Sequence, residues 1–308
     1  SWTSGVLSLG AGGLNVASGA TLAMSGSSVK LISGGVLNNA GTVTWTGSGL
    51  LQLDNSAVVR NQAGGLIDIQ SDADVSYVNG FQPSLLNLAG ATIRKSGGGA
   101  DPTVIGAVNP IAFTNGGTLD AQVGTIQYAS SNTFNSGTVF SGAGVNLVTS
   151  GAVLIGAIGT GNLELAGGTY TGGATLTGTT RWTGGTISGG SWLVPAGSVL
   201  DIANGGAVVL TGATLSNAGT VNWTGSTLQI DNSALISNSG LFDIKTDAAL
   251  SYVNGFQPSI SNSGTWRKSA GSGLSVVGSS NPVVFGNAGG AIQIQTGSMQ
   301  INAVSSFS

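Results

Sequence analysis

Apolar residues recur in pairs at i and i+2, and the pairs return every seven or eight positions or twice that: Leu14/Val16, Leu22/Met24, Val29/Leu31, Val43/Trp45 and Leu51/Leu53. Alternation with a period of two marks a strand with one buried face. The residues between the pairs are Gly, Ser, Asn and Ala, which accept tight turns and positive φ. The pattern therefore predicts strands of about seven to eight residues joined by tight corners.

A second marker sets the length of one circuit. Gly followed by Thr or a small apolar residue stands at Gly41, Gly65, Gly90, Gly117 and Gly137, then at Gly219, Gly240, Gly264 and Gly290. The spacings are 24, 25, 27 and 20 in the first set and 21, 24 and 26 in the second. Three short strands fill such a coil. Strands this short cannot bury a face alone, so coil must stack on coil to make a continuous core. The expected fold is all-β: a right-handed parallel β-helix (β-solenoid) of about 13 coils with three short strands per coil. An antiparallel sandwich or barrel shares the short alternating strands. Against it, hairpin-type Asn-Gly pairs stand chiefly at Asn79-Gly80 and Asn254-Gly255, and a period near 24 is not a hairpin period.

A longer period contains the short one. Leu37-Asn-Asn-Ala-Gly-Thr-Val-Thr-Trp45 returns as Leu215-Ser-Asn-Ala-Gly-Thr-Val-Asn-Trp223, and Leu53-Asp-Asn-Ser-Ala57 as Ile230-Asp-Asn-Ser-Ala234. Ser76-Tyr-Val-Asn-Gly-Phe-Gln-Pro-Ser84 is identical to Ser251 through Ser259, and Arg94-Lys95 and Asn109-Pro110 match Arg267-Lys268 and Asn281-Pro282. The offset drifts from 178 to 172. Residues 1–308 are thus expected to form one continuous solenoid, with a first super-repeat over 1–180 and a second, truncated one over 181–308. Ala303-Val-Ser-Ser-Phe-Ser308 resembles Ala129-Ser-Ser-Asn-Thr-Phe134, so the chain is expected to stop in mid-repeat, as a segment of a longer array. Its opening, Ser1-Trp2-Thr3, is not a basic-then-apolar leader.

Composition narrows the class. Gly accounts for 54 of 308 residues, charged residues for 6%, hydrophobic residues for 41%, and Cys and His are absent. No apolar run reaches the roughly 18 residues of a membrane helix. The most apolar stretch, Val145 to Ile158, is broken by Asn146, Thr149, Ser150, Gly151 and Gly156 and reads as short strands with turns. The even spread of apolar residues argues against disorder. A net charge of −3 with scattered Lys and Arg gives no cationic stripe for nucleic acid or anionic lipid. Without His, triads of the Ser-His-Asp type are impossible and zinc loses its best ligand. The lack of Cys suits an exported protein.

Leu176-Thr-Gly-Thr-Thr-Arg-Trp-Thr-Gly-Gly-Thr-Ile-Ser-Gly-Gly190, then Val194-Pro-Ala-Gly-Ser-Val-Leu-Asp-Ile202 and Leu215-Ser-Asn-Ala-Gly-Thr-Val221, resembles repeats of large bacterial β-helical surface proteins, the filamentous-haemagglutinin-like and autotransporter-type adhesins. The resemblance implies export through the outer membrane and a place at the cell surface or in the extracellular space. It also implies a role in attachment or in a biofilm matrix.

Parallel β-helices also carry polysaccharide lyases and hydrolases, which need paired carboxylates on one face. Asp54, Asp68 and Asp72 reappear as Asp231, Asp243 and Asp247, which fits turn-bracing residues of the repeat better than a single catalytic site. The chain is therefore expected to be non-enzymatic, without cofactor or metal; the nine-residue Gly-rich calcium repeat is absent. Thr-rich strands such as Thr42-Val-Thr-Trp-Thr46 raise ice binding, but their Thr positions drift from coil to coil. The sequon Asn222-Trp-Thr224 is not repeated at Thr44. The most specific feature is the identical stretch around Tyr77 and Phe81, repeated at Tyr252 and Phe256, with Arg94-Lys95 and Arg267-Lys268 one coil later. Exposed aromatics beside a basic pair are candidate sugar-stacking platforms, since aromatic faces favour apolar sugar faces and cations. The alternative is a protruding loop whose aromatics fold back over the core. The expected role is a stalk, filament or matrix segment, with end-to-end self-association and glycans as partners. A polysaccharide-binding or polysaccharide-cleaving β-helix is the alternative.

Overall fold

The computed structural model describes residues 1–99 and 101–307. The chain is an all-β parallel β-solenoid of about 14 turns, one more than the periodicity suggests, with no helix among the described residues. Strands three apart in sequence lie side by side. Gly5–Leu7 pairs with Lys30–Ser33, which pairs with Leu51–Asp54. Leu14–Val16, Val36–Asn39 and Val58–Asn61 begin a second sheet, and Thr21–Met24, Thr42–Trp45 and Leu66–Gln70 a third. The strands group into two compact units, one of residues 1–152 with 158–163, the other of 153–157 with 164–308. Among the described residues no helix is long and apolar enough to cross a membrane.

The regular strands are shorter than the alternation suggests, because much of each seven- or eight-residue period is corner: Val36–Asn39 and Thr42–Trp45 have four residues each. The stretch expected as short strands with turns departs in the other direction. Its second half lies in a continuous strand of 15 residues, Gly151–Leu165, and Thr169–Trp182 runs for 14. Thr169 pairs with Thr186 and Thr175 with Leu193, separations of only 17 and 18 residues (186 − 169 and 193 − 175). Coils this short have no residues left for loops.

Within each unit the inward rows are mostly apolar and in register. One row of the third sheet runs Met24, Trp45, Ile69, Lys95 and Ala121, and its counterpart runs Ile202, Trp223, Ile244, Lys268 and Ile294. Phe242 stacks on Trp266 at 4.1 Å between ring centroids.

Two polar systems are built into this interior. The last inward position of the second sheet is a ladder of buried asparagines: Asn39, Asn61, Asn87 and Asn115 in the first unit, Asn217, Asn238, Asn262 and Asn287 in the second. Each Nδ2 donates to the Oδ1 of the next coil, at 2.7, 2.8 and 2.6 Å in the first ladder and 2.7, 2.7 and 2.6 Å in the second. The ends are satisfied too. Gly41 N–H donates to Asn39 Oδ1, Asn115 donates to Thr138 Oγ1, and Asn287 to the Gly290 carbonyl. The corner that follows explains the glycine marker: a Cβ at Gly65 would overlap the Asn39 carbonyl, and one at Gly240 the Gly219 carbonyl.

The corner after the third sheet leaves carbonyls pointing inward, and donor-only side chains meet them. Trp45, Trp182 and Trp223 donate Nε1–H to Gly49, Gly184 and Ser226. Lys95 Nζ meets the Ser71 carbonyl at 2.7 Å, Lys268 meets Thr246 and Ala270, and Lys30 meets Ser28.

Candidate functional site

The identical stretches form one loop in each unit, at the corner between the first and second sheets. In the first unit the loop leaves Val75–Ser76 and re-enters the solenoid at Ser84–Asn87. It is held from the coil below by Asp54, whose Oδ1 accepts the N–H groups of Val78 and Asn79 at 3.0 and 3.1 Å while Oδ2 takes Gln52 Nε2 at 2.7 Å. Burial opposes the Asp54 charge, but these hydrogen bonds outweigh it and hold the carboxyl below its usual range. Asn55 and Ser56 follow in left-handed conformation, φ 53° and 59°, which turns their N–H groups onto the carbonyls of Asn79 and Phe81. Two consecutive non-glycine residues in that region carry strain of about 1–2 kcal/mol each. Gly80 fits because its positive φ suits glycine and a Cβ there would meet the Asn55 side chain.

From the coil above, Asn109 donates to the Tyr77 carbonyl at 2.9 Å, and Gln82 reaches the Pro110 carbonyl at 3.0 Å. Tyr77 turns its hydroxyl onto the Gly80 carbonyl. The second unit repeats this bond for bond: Asp231 takes Val253 and Asn254, Asn281 the Tyr252 carbonyl, Gln257 the Pro282 carbonyl and Tyr252 the Gly255 carbonyl. Asn232 and Ser233 are again left-handed, φ 53° and 58°.

Tyr77 and Tyr252 are thus loop braces, half-buried and turned onto their own backbone. Phe81 and Phe256 point outward, 82% and 78% exposed, the most exposed large hydrophobic side chains described in the chain. The basic pairs lie elsewhere. Lys95 and Lys268 are wholly buried in the third-sheet row. Lys95 Nζ contacts Asp72 Oδ1 at 2.6 Å and Thr103 Oγ1 at 3.1 Å; Lys268 contacts Asp247 at 2.8 Å and Ser275 at 2.9 Å. Arg94 pairs with Asp68 at 2.9 Å and Arg267 with Asp243 at 2.7 Å on the outer side of the same strands. Among the described residues no hydrogen bond or ion pair joins these cations to the aromatic loops, and Lys95 and Lys268 are too buried to flank an exposed ring, so the eight residues do not form one platform. Asp54 and Asp231 are among the duplicated carboxylates expected to bond turn amides, and each does so to the loop one coil later, although the sequence did not tie them to the aromatic stretch.

Several other carboxylates are spent in the same way. Glu164 pairs with Arg181 at 3.1 Å, Asp201 accepts Asn222, and Asp74 accepts the Val104 N–H. Among the described residues no group of three or more His, Cys, Asp or Glu side chains comes together. A cavity under the first coils is lined by apolar residues, Trp2, Leu22, Met24, Ile32 and Trp45 among them, and is core space. The chain matches no family model, no curated protein and no solved structure.

These carboxylates set an acid limit. Burial opposes the Asp68 charge, yet Arg94, Ser96 and Gln70 hold its pKa down at about 2. Asp72 is lowered by Lys95, and Asp243 is lowered because Arg267 and Ser269 outweigh burial. A carboxyl lowered on folding stabilises above its unfolded pKa and loses that stabilisation as pH falls through the folded value. The urea midpoint should therefore be flat above about pH 5 and fall steeply from about pH 4 toward pH 2. Asp68→Asn combined with Asp243→Asn should lower the midpoint at pH 7 and flatten the acid limb. An unchanged acid limb in that variant would refute the assignment.

Proposed function

We propose that this chain is a non-enzymatic structural or adhesive segment of a fibrous cell-surface or extracellular protein: a stalk, filament or matrix component. One observation carries the reading. The ionisable side chains that a polysaccharide lyase or hydrolase would deploy are consumed inside the repeat, and in duplicate: Asp54 and Asp231 brace loops, Asp68–Arg94 and Asp243–Arg267 pair across coils, and Lys95–Asp72 and Lys268–Asp247 close corners. Charge used once per super-repeat for the same lattice bond is what a spacer needs, whereas a catalytic centre needs carboxyls free to face a substrate. A solenoid's end coils offer unpaired strand edges, so end-to-end self-association belongs to the proposal. The lack of Cys and the resemblance to β-helical surface repeats support a place outside the cell.

The test is negative-stain electron microscopy at rising concentration beside an assay for reducing ends released from a polysaccharide panel. The expected result is particles that join into filaments with no sugar released. Release that is lost in Asp68→Asn with Asp72→Asn, in a variant of unchanged circular dichroism, would overturn the reading.

A further inference from the structure

Most of the identical nine-residue stretch has a structural reason to stay the same. Tyr77 bonds the Gly80 carbonyl, Gly80 fits against Asn55, Gln82 reaches Pro110, and Pro83 is buried. Phe81 has no such reason. Only its carbonyl is engaged, by Ser56 N–H at 2.9 Å, and any residue supplies a carbonyl. Its ring stands 82% exposed, and the ring of Phe256 78%. A ring this exposed stays in water on folding and contributes little to stability, so packing does not account for its outward place in both loops, and recognition does.

The surroundings define the ligand. The flanking exposed side chains are the amides Asn79 and Gln82, the latter with its Oε1 still open as acceptor, and the apolar Val78; in the second unit they are Asn254, Gln257 and Val253. No ionisable side chain other than Tyr lies between Ser76 and Ser84, and both oxygens of Asp54 are engaged internally. Beyond Val78 and Val253 the exposed apolar surface is not shared, because exposed Val108 beside the first loop is replaced by Ser280 beside the second. What they share is one outward ring, one partly exposed valine and neutral donors and acceptors around them. That combination suits a pyranose, whose axial C–H face packs on an aromatic ring while its hydroxyls bond amides.

We infer that Phe81 and Phe256 are the recognition elements of two equivalent sites for a neutral polysaccharide, one per super-repeat, each weak alone and effective through avidity along the chain. The turn at Asn55-Ser56 holds the loop backbone that carries the ring, so the ordering cost left to association is that of the side chain. This goes beyond the stalk reading and fails separately from it, since a chain that forms filaments without retaining sugar remains a stalk.

The experiment is affinity gel electrophoresis of the full chain through gels containing a neutral β-glucan, a neutral galactan, a soluble chitin derivative or anionic alginate. At least one neutral gel should retard the chain and alginate should not. Phe81→Ala combined with Phe256→Ala should abolish retardation with an unchanged thermal melt. Either single variant should weaken retardation by roughly tenfold or more, because bivalence is lost, and Phe81→Trp should keep it. Unretarded migration in every neutral gel, or equal retardation of the double alanine variant, would overturn the inference. So would concentration-dependent dimerisation or vesicle binding lost in the double variant without any sugar effect, because the ring would then face a second copy or a lipid surface.

Discussion

Replacing Asn238 with Leu should destabilise the second unit by about 3–5 kcal/mol, whereas Asn287→Leu, at the ladder's end, should cost about half as much or less. Asn238 does four things at once. Its Oδ1 takes Asn217 Nδ2 at 2.7 Å, and its Nδ2 serves Asn262 Oδ1 at 2.7 Å, the Thr265 carbonyl at 3.0 Å and, at 3.4 Å, the Gly240 carbonyl. Leucine would leave Asn262 Oδ1 and the Thr265 carbonyl buried without their donor, and each orphaned acceptor costs about 1–3 kcal/mol. Asn217 would lose less, because its Nδ2 keeps the Leu241 carbonyl at 2.8 Å. Asn287 has only the Gly290 carbonyl below it, so fewer groups are orphaned there. Asn238→Asp should be at least as damaging as Leu, since a carboxylate supplies no donor and faces Asn262 Oδ1 and the Thr265 carbonyl with like polarity. Solenoids open coil by coil, so the measurement is native-state hydrogen exchange of Leu235–Asn238 and Ser259–Asn262 beside urea denaturation. Equal costs at Asn238 and Asn287 would show that the ladder does not act as a directed chain.

The coil was legible in the sequence and the ladder was not, and the two stand within a few residues of each other. Gly41, Gly65, Gly219 and Gly240 mark the corner because a Cβ there meets the backbone or an asparagine of a neighbouring segment, so composition at one position reports a tertiary contact. Asn39, Asn217, Asn238 and Asn262 precede a marker glycine by two residues and also recur once per coil, but Asn near Gly reads first as turn chemistry. Only stacking of coil on coil turns that position inward. Lys95 and Lys268 were read as surface cations for a similar reason. Thr92-Ile-Arg-Lys95 alternates correctly, with Ile93 and Lys95 sharing the inner face, yet a charged residue is counted as outward until the register sets it over Ile69. The aromatic loop was legible as a repeat but not as a shape. That Tyr77 would turn inward and Phe81 outward depends on the left-handed pair at Asn55 and Ser56, one coil away in sequence and directly against the loop in space.

Lys268→Ala should cost the second unit about 3–5 kcal/mol, while Lys268→Met should cost about 1–3 kcal/mol and Asp247→Ala less than either. The ranking follows from where the two charges sit. The Lys268 stem fills the inner row between Ile244 and Ile294, so alanine opens a cavity as well as removing the donor to the Thr246 and Ala270 carbonyls. Methionine refills most of the row and leaves only the orphaned acceptors. Asp247 is 44% exposed at the side chain and returns to water when unpaired, and Lys268 keeps two carbonyls and Ser275 Oγ after losing it. The chain holds its own control at Lys30. Lys30 is buried with carbonyl partners and, among the described residues, no ion pair, and the matching position in the second super-repeat is Val208, also buried. In the second super-repeat Asn204, which stands where the first has Gly26, supplies the donor to the corner carbonyls, so Lys30→Val should still cost about 1–3 kcal/mol for the orphaned Gly26 and Ser28 carbonyls, but less than Lys268→Ala. Hydrogen exchange across Leu241–Ile244, Thr265–Lys268 and Ala291–Ile294 separates the cases. If Asp247→Ala proves as costly as Lys268→Ala, the ion pair itself stabilises the corner, and its carbonyl contacts are secondary.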